Sequence, residues 1–396
     1  MRILSSLTAV LLSYALGEAA ILSVGPGKTF PTPCAAFSAA KAGDTIEIDG
    51  KGNYRGDVCY IYPSDLTILG VNGRPKIDGM HTVTADHKAL WVVEGNNTIV
   101  DNIEFTGASV PDRNGAGIRL EGRNLTIRNS YFHDNQDGIL TQQANSGNIL
   151  IEYSEFASNG VGDGKSHNIY INAADNFTFR YSTSHDARLG HLLKSRATVT
   201  NILYDFIYDG ANANSSYELD FPNAGTVNIV GSVVAQGPHS PNRNIIAFGE
   251  EGPGNNTSQQ LNMVNNTIVN RQRSGTFVDI ASWIATPARI MNNIFAGVGT
   301  VITQKSAVMT TNLSGEDPQF VNSPTGDFRL RPNSPAIHNG TGPIETLMPL
   351  WSSYKRTCGI ARPILGQIDI GAYGYGAAGG QVVCSAAAAV MSDLSQ

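Results

Sequence analysis

Between residues 160 and 196 the chain reads GVGDGKSHNIYINAADNFTFRYSTSHDARLGHLLKSR, and three of its eight histidines, His167, His185 and His191, fall there. Two short stretches inside it, HNIYIN and HLLKSR, are one apolar/polar pattern written twice. Alternate residues of a strand point to opposite faces. With Ile169 and Ile171 directed inward, Asn168, Tyr170 and Asn172 face out. In the second stretch Leu193 and Ser195 go in, and Lys194 and Arg196 go out. A third stretch, YELDF, sends Leu219 and Phe221 in, and Glu218 and Asp220 out. Stacking these strands places Tyr170 beside Lys194 and Lys194 beside Asp220, with His167 and His191 at matching turn positions.

Such a set suits acid–base work on an anionic substrate. Lys194 is the candidate base, because the like charge of Arg196 lowers its hold on a proton. Arg196 is the candidate carboxylate ligand, through two parallel hydrogen bonds. Tyr170, His167 or His191 serves as acid or as an alternate base. Asp220 and Glu218 either hold Lys194 in place or bind calcium. They also count against Lys194 as base, since a lysine paired to a carboxylate stays protonated. His185, Asp186 and Arg188, in the loop SHDARLGH, are expected to rim the groove. The bland reading is a solvated charge ladder, worth little energetically, and a histidine pair that caps turn hydrogen bonds. Clustering separates this stretch from that reading, because neighbouring outward faces such as NIIAFG and GILTQQ are mostly uncharged.

The elements that would position these residues recur along the chain. A segment of the form x-N-x-T-I-x-N-x-x-F appears as NNTIVDNIEF (96–105), RNLTIRNSYF (123–132), GNILIEYSEF (147–156) and DNFTFRYSTS (175–184), and continues in QLNMVNNTIV and PARIMNNIFA. A second strand follows each turn, and its inward positions align as Ile118, Ile139, Ile169, Leu193, Leu219 and Ile246. Strands repeating at this period without helices indicate a β-solenoid, in which stacked coils bury a core that no coil buries alone. The outward column then runs Arg119, Leu140, Tyr170, Lys194, Asp220, Ala247. Asn recurs at turns, where its side chain bonds backbone or the Asn of the next coil. The Ala-rich piece 34–42 is expected to be a short helix that caps the open end of the stack.

With 42 glycines and 15% charged residues, composition favours many short strands joined by turns. A net charge of −6 gives no reason to expect nucleic-acid binding. Residues 1–19 resemble a secretory signal: Arg2, an apolar run over 3–16, then small residues. No other stretch is long and apolar enough to cross a bilayer, so no membrane association is expected. Secretion makes Cys34, Cys59, Cys358 and Cys384 a disulfide question. Pairing within each end is the economical choice among three connectivities. Nine Asn-x-Ser/Thr sequons are present, at Asn96, Asn124, Asn176, Asn214, Asn255, Asn256, Asn265, Asn312 and Asn339, and some are expected to carry glycans.

The repeat resembles the right-handed parallel β-helix proteins, the superfamily of pectate-lyase-like enzymes. Tail motifs strengthen the likeness: Asp317-Pro318-Gln319-Phe320, Asp327-Phe328-Arg329-Leu330, Ser334-Pro335-Ala336-Ile337 and Asp369-Ile370-Gly371-Ala372-Tyr373. The resemblance implies an all-β chain with a single right-handed parallel β-helix domain over 20–376: a cap at 22–60, coils over about 60–310 and a closing segment at 311–376, followed by a loose tail at 377–396. It also implies a secreted, monomeric enzyme acting on an acidic polysaccharide. In β-elimination a cation neutralises the carboxylate at C5, a base removes the C5 proton, and an acid protonates the leaving oxygen at C4. The superfamily supplies the precedent of Lys or Arg as base, sometimes with calcium. It also holds glycoside hydrolases, uronan C5-epimerases and non-catalytic carbohydrate-binding proteins, which stay open as alternatives. For a hydrolase, Glu218 and Asp220 would be the carboxylate pair.

Overall fold

The computed structural model describes residues 19–81, 88–342, 347–376 and 380–384. The expected signal segment lies outside these apart from Ala19, as does most of the 377–396 tail. Each coil of the chain gives one strand to each of three parallel sheets. Among the described residues, sheet I has ten strands (from Cys59–Ile61 to Thr300–Ile302), sheet II twelve (from Ile21–Val24 to Val308–Thr310) and sheet III eleven (from Tyr54–Arg55 to Leu313–Ser314). One coil, for example, runs Ile169–Ile171 in sheet I, Asn176–Arg180 in sheet II and Thr183–His185 in sheet III. The fold is therefore a parallel β-helix, all-β apart from one short α-helix among the described residues.

The inward column of sheet I pairs in the expected register: Ile118 with Ile139, Ile139 with Ile169, Leu193 with Leu219, and Leu219 with Ile246. Under sheet III, Phe105, Phe132 and Phe156 stack with ring centroids 4.7 and 4.6 Å apart. Of the three corners that carry the chain between sheets, two are built on recurrent polar or aromatic residues. From sheet II to sheet III one residue per coil takes the left-handed conformation, as at Asn102 (φ 61), Asn129 (φ 51), Asn265 (φ 54) and Asn292 (φ 56). Asn tolerates this region because its short polar side chain bonds locally. In three middle coils the place is taken by Tyr153, Tyr181 and Tyr204, whose rings stack at 5.4 Å spacing beneath Trp351. The corner from sheet III to sheet I holds a buried amide ladder. Asn135 Nδ2 donates to Asn159 Oδ1 (3.1 Å), and Asn159 Nδ2 to Asn168 Oδ1 (3.0 Å).

The helix spans Pro33–Ala39, with Thr32 as N-cap and Pro33 in the first turn. It ends short of the expected residue 42 because Ala40 is extended. Phe37 packs edge-on against Trp91 (5.1 Å), covering the first coils. Cys34 pairs with Cys59 and Cys358 with Cys384, one bond at each end, as the economical choice has it. Beyond Leu313–Ser314, the last strand of sheet III, the closing segment does not extend the coils. It turns back as antiparallel hairpins and lays Phe328 on Phe206 (6.1 Å), on the outer face of sheet III.

Candidate active site

The outward column of sheet I pairs in the expected order, Arg119–Leu140–Tyr170–Lys194–Asp220–Ala247. Lys194 stands in the middle, its side chain only 10% exposed. Its Nζ is 3.3 Å from Asp220 Oδ2, 2.9 Å from Glu251 Oε1 and 5.5 Å from the centre of the Tyr170 ring. Arg196 spreads its donors over three partners. Nε donates to the Tyr170 hydroxyl oxygen (3.1 Å), Nη1 to Asn223 Oδ1 (2.6 Å) and Nη2 to Glu251 Oε2 (2.7 Å). The two cations, Tyr170, Asp220 and Glu251 thus form one connected cluster. Beside it lies a concavity of about 620 Å³, lined by Tyr170, Asn172, Arg196, Asn223 and Asn255 among others. Another, of about 470 Å³, runs along sheet II over Asn97, Asn124, Asn148 and Asn176. Its one ionisable lining residue is Arg180, so it lacks the acid–base partners that chemistry needs.

His167 and His191 stack at 4.4 Å. His167 Nδ1 accepts the backbone N–H of His191 (2.9 Å), and His191 Nδ1 accepts that of Tyr217 (3.4 Å). Each ring therefore carries its proton on Nε2. His191 directs that nitrogen at Asp220 Oδ2, 3.4 Å away. Burial, then the nearby positive charges, press both rings toward neutrality: His167 falls well below the usual histidine range, and His191 to about 3. With Nδ1 engaged by backbone, neither ring has a lone pair free to take a substrate proton. Burial pushes Asp220 up to about 6 against the pull of Lys194. For Glu251 burial acts in the same sense, but hydrogen bonds from Lys194 and Arg196 prevail and hold it below the usual range.

Several expected site residues lie elsewhere. Asn168 and Glu218 are buried rather than outward. They stand one residue before Ile169 and Leu219, where the corner turns the chain inward, and Leu192 and Ile245 at the matching register positions are buried too. Asn168 belongs to the amide ladder, and Glu218 receives Gln236 Nε2 at 3.4 Å. Burial raises Glu218 well above the carboxylate range. The pair Glu218/Asp220 therefore does not converge on a calcium ion or a glycosidic bond. Among the described residues, no group of three or more His, Cys, Asp or Glu is arranged to hold a metal. His185 and Arg188 do not rim this groove. His185 ends a sheet III strand between Glu155 (2.9 Å) and Asp186 (2.8 Å), and Arg188 pairs with Asp134. Asn172 does line the groove, its amide bonded to the Thr141 carbonyl (2.7 Å).

Glu251 and Asn223 were absent from the expected set. The signal for Glu251 is GEEGPGNN, a charged pair between glycines beside an otherwise uncharged strand.

A family model described as a right handed beta helix region matches residues 68–212. The crystal structure of pectate lyase Pel9A aligns with a TM-score of 0.62 and 16% identity, over 91% of this chain and 97% of that one. No curated protein sequence is a significant match.

Proposed function

We propose, for a chain that has the right-handed parallel β-helix fold, that it cleaves a uronic-acid-containing polysaccharide by β-elimination at the Lys194 cluster. The observation that carries this reading is the placing of Lys194 and Arg196 side by side above Tyr170, with Tyr170 and Arg196 lining the adjoining groove and Lys194 just behind them. Arg196 meets the substrate carboxylate, which acidifies the C5 proton. Lys194, a cation in the resting site, first passes its own proton to Asp220, 3.3 Å away, and then takes the C5 proton. The electron pair forms the C4–C5 double bond, and the C4–O bond breaks. Tyr170 receives Arg196 Nε on its oxygen, so its own O–H remains to be donated, and it protonates the departing oxygen. Asp220, held by Lys194 and His191, keeps the amine aimed. Two disulfides fit an oxidising, extracellular setting for such an enzyme.

A hydrolase reading draws on a different fact. Asp220 is pushed up and Glu251 down, and divergent carboxyl groups are how glycosidases assign acid and base. Both oxygens lie within 3.3 Å of Lys194 Nζ, so they are at most about 6 Å apart, near the spacing of retaining enzymes. Ultraviolet absorbance during incubation with a panel of uronic-acid polysaccharides separates the two. Elimination leaves an absorbing double bond, and Lys194→Ala abolishes the signal. New reducing ends without absorbance would overturn the lyase reading in favour of the carboxylate pair.

A further inference from the structure

The pairing of Glu251 is out of keeping with a merely structural ion pair. Its two carboxylate oxygens are divided between the two cations, Oε1 on Lys194 (2.9 Å) and Oε2 on Arg196 (2.7 Å). A bound uronate carboxylate would make the same pair of contacts. We infer that Lys194 and Arg196 form a carboxylate-binding seat, and that Glu251 fills it as an internal stand-in until a substrate carboxylate takes its place. The inference rests on the acidic-polysaccharide reading of this site.

Three features of the surroundings support exchange. First, the cations are held without Glu251. Asp220 still pairs with Lys194, while Asn223 and Tyr170 still hold two nitrogens of Arg196. The seat therefore keeps its shape when it is vacated. Second, Glu251 is the wet member of the cluster. Its side chain is 48% exposed, against 10% for Lys194, 21% for Arg196 and 5% for Asp220. An exposed ion pair is weak because water screens it and side-chain entropy opposes it, so the outermost anion leaves most easily. Replacing one carboxylate by another also keeps two cations facing two carboxyl groups, so neither cation is left unpaired, the costly outcome for buried charge.

Third, the backbone beneath Glu251 is anchored while its side chain is free to swing. Glu251 N–H donates to the Pro222 carbonyl (2.9 Å), and Trp283 Nε1 donates to the Gly249 carbonyl (2.6 Å). Gly249 and Gly252 stand at φ 88 and 82, a conformation that lets the loop fold back over the strand end and that other residues resist. Withdrawal then needs only side-chain rotation, with no loop opening. The consequence is selectivity. A neutral or esterified sugar cannot displace Glu251, because it leaves Arg196 with no anion and Lys194 with Asp220 alone.

Isothermal titration with galacturonate and glucuronate monomers, and with their methyl esters, tests this on the wild-type chain, Glu251→Gln and Glu251→Ala. The expected result is binding of at least one free acid roughly two- to fivefold tighter in both variants, the ratio that loss of one exposed ion pair supplies. The esters should show no such gain. Unchanged or weaker binding of the acids in the variants would overturn the inference and make Glu251 a residue that positions the cations. So would equal gains for the esters, or no carboxylate-dependent binding in any of the three proteins. Failure of the lyase reading looks different: no ultraviolet signal from any polymer, with the tighter carboxylate binding of the variants intact.

Discussion

Histidines stand in register at two sheets of this solenoid, on adjacent coils at sheet I and two coils apart at sheet III, and their surroundings give them opposite charge states. At sheet I, His167 and His191 lie ring to ring, take backbone N–H groups on Nδ1 and are driven neutral by burial and by Lys194. At sheet III, His133 is bracketed by Glu104 (3.2 Å) and Asp134 (2.8 Å), and His185 by Glu155 and Asp186 in the same way. Burial opposes the charge of His185 too, but its two carboxylates prevail and carry it to about 9. Exposure is similar: 9% for the His191 side chain and 13% for His185. What differs is which atoms meet the ring nitrogens. A histidine that receives backbone N–H groups is a neutral spacer, and one between carboxylates is a fixed cation.

The sharpest break between the two clusters is in activity. Lys194→Ala should lower the elimination rate by about 10²–10⁴, the span of a lost general base, whereas His185→Ala should leave it within about a factor of two, since His185 lies on another sheet. Parallel ultraviolet assays check this. Comparable losses in both would mean that the sheet III cluster takes part in the chemistry.

Stability should register the sheet III cluster even though activity does not. His185→Ala strands Glu155 and Asp186 without their shared partner, and a loss of roughly 1–3 kcal/mol is expected from the removal of a part-buried charged hydrogen-bond partner. A fall in thermal midpoint at pH 6 reads it.

The pH dependences should run in opposite senses. For His185 the folded value, about 9, lies above the unfolded 6.5. Its stabilisation is therefore full below about pH 6.5 and lost as pH rises toward 9. His191, at about 3 when folded, disfavours the folded state once the unfolded ring takes up a proton, so its effect appears as pH falls below about 6.5. His185→Gln should flatten the alkaline limb of the unfolding midpoint, and His191→Gln the acid limb. Interchanged effects would mean that the charge states are reversed.

The smallest effect belongs to Arg188→Ala. Both it and Asp134 are substantially exposed, at 50% and 40%, and the pair should contribute less than about 1 kcal/mol. A larger shift in the unfolding midpoint would give the sheet III surface a role beyond charge pairing.

The sequence exposes what a fixed strand period controls. Inward Ile and Leu set the register of sheet I, and register alone puts Tyr170, Lys194 and Asp220 in one column. Alternation misled at the corners. Asn168 and Glu218 stand in phase with Tyr170 and Asp220, yet the chain is already bending there and both side chains turn inward. His185 and Arg188 misled by nearness in sequence, because a few residues carry a solenoid chain to another sheet. Glu251 escaped because its contact with Lys194 spans 57 residues, from a loop that obeys no period.

The covalent bonds at Cys34–Cys59 and Cys358–Cys384 bear on how the molecule comes apart. In a solenoid each coil touches only its neighbours, so opening travels inward like a zip from a free end. Here the first clasp ties the capping helix to the first strand of sheet I, at one tip, and the second fastens the terminal hairpin that lies over the middle coils at Tyr181. The strands of Tyr170, Lys194 and Asp220 are the fifth, sixth and seventh of ten in sheet I. The proposed chemistry thus sits in the stretch that unzipping reaches last, and wear at either tip is kept from the teeth that matter.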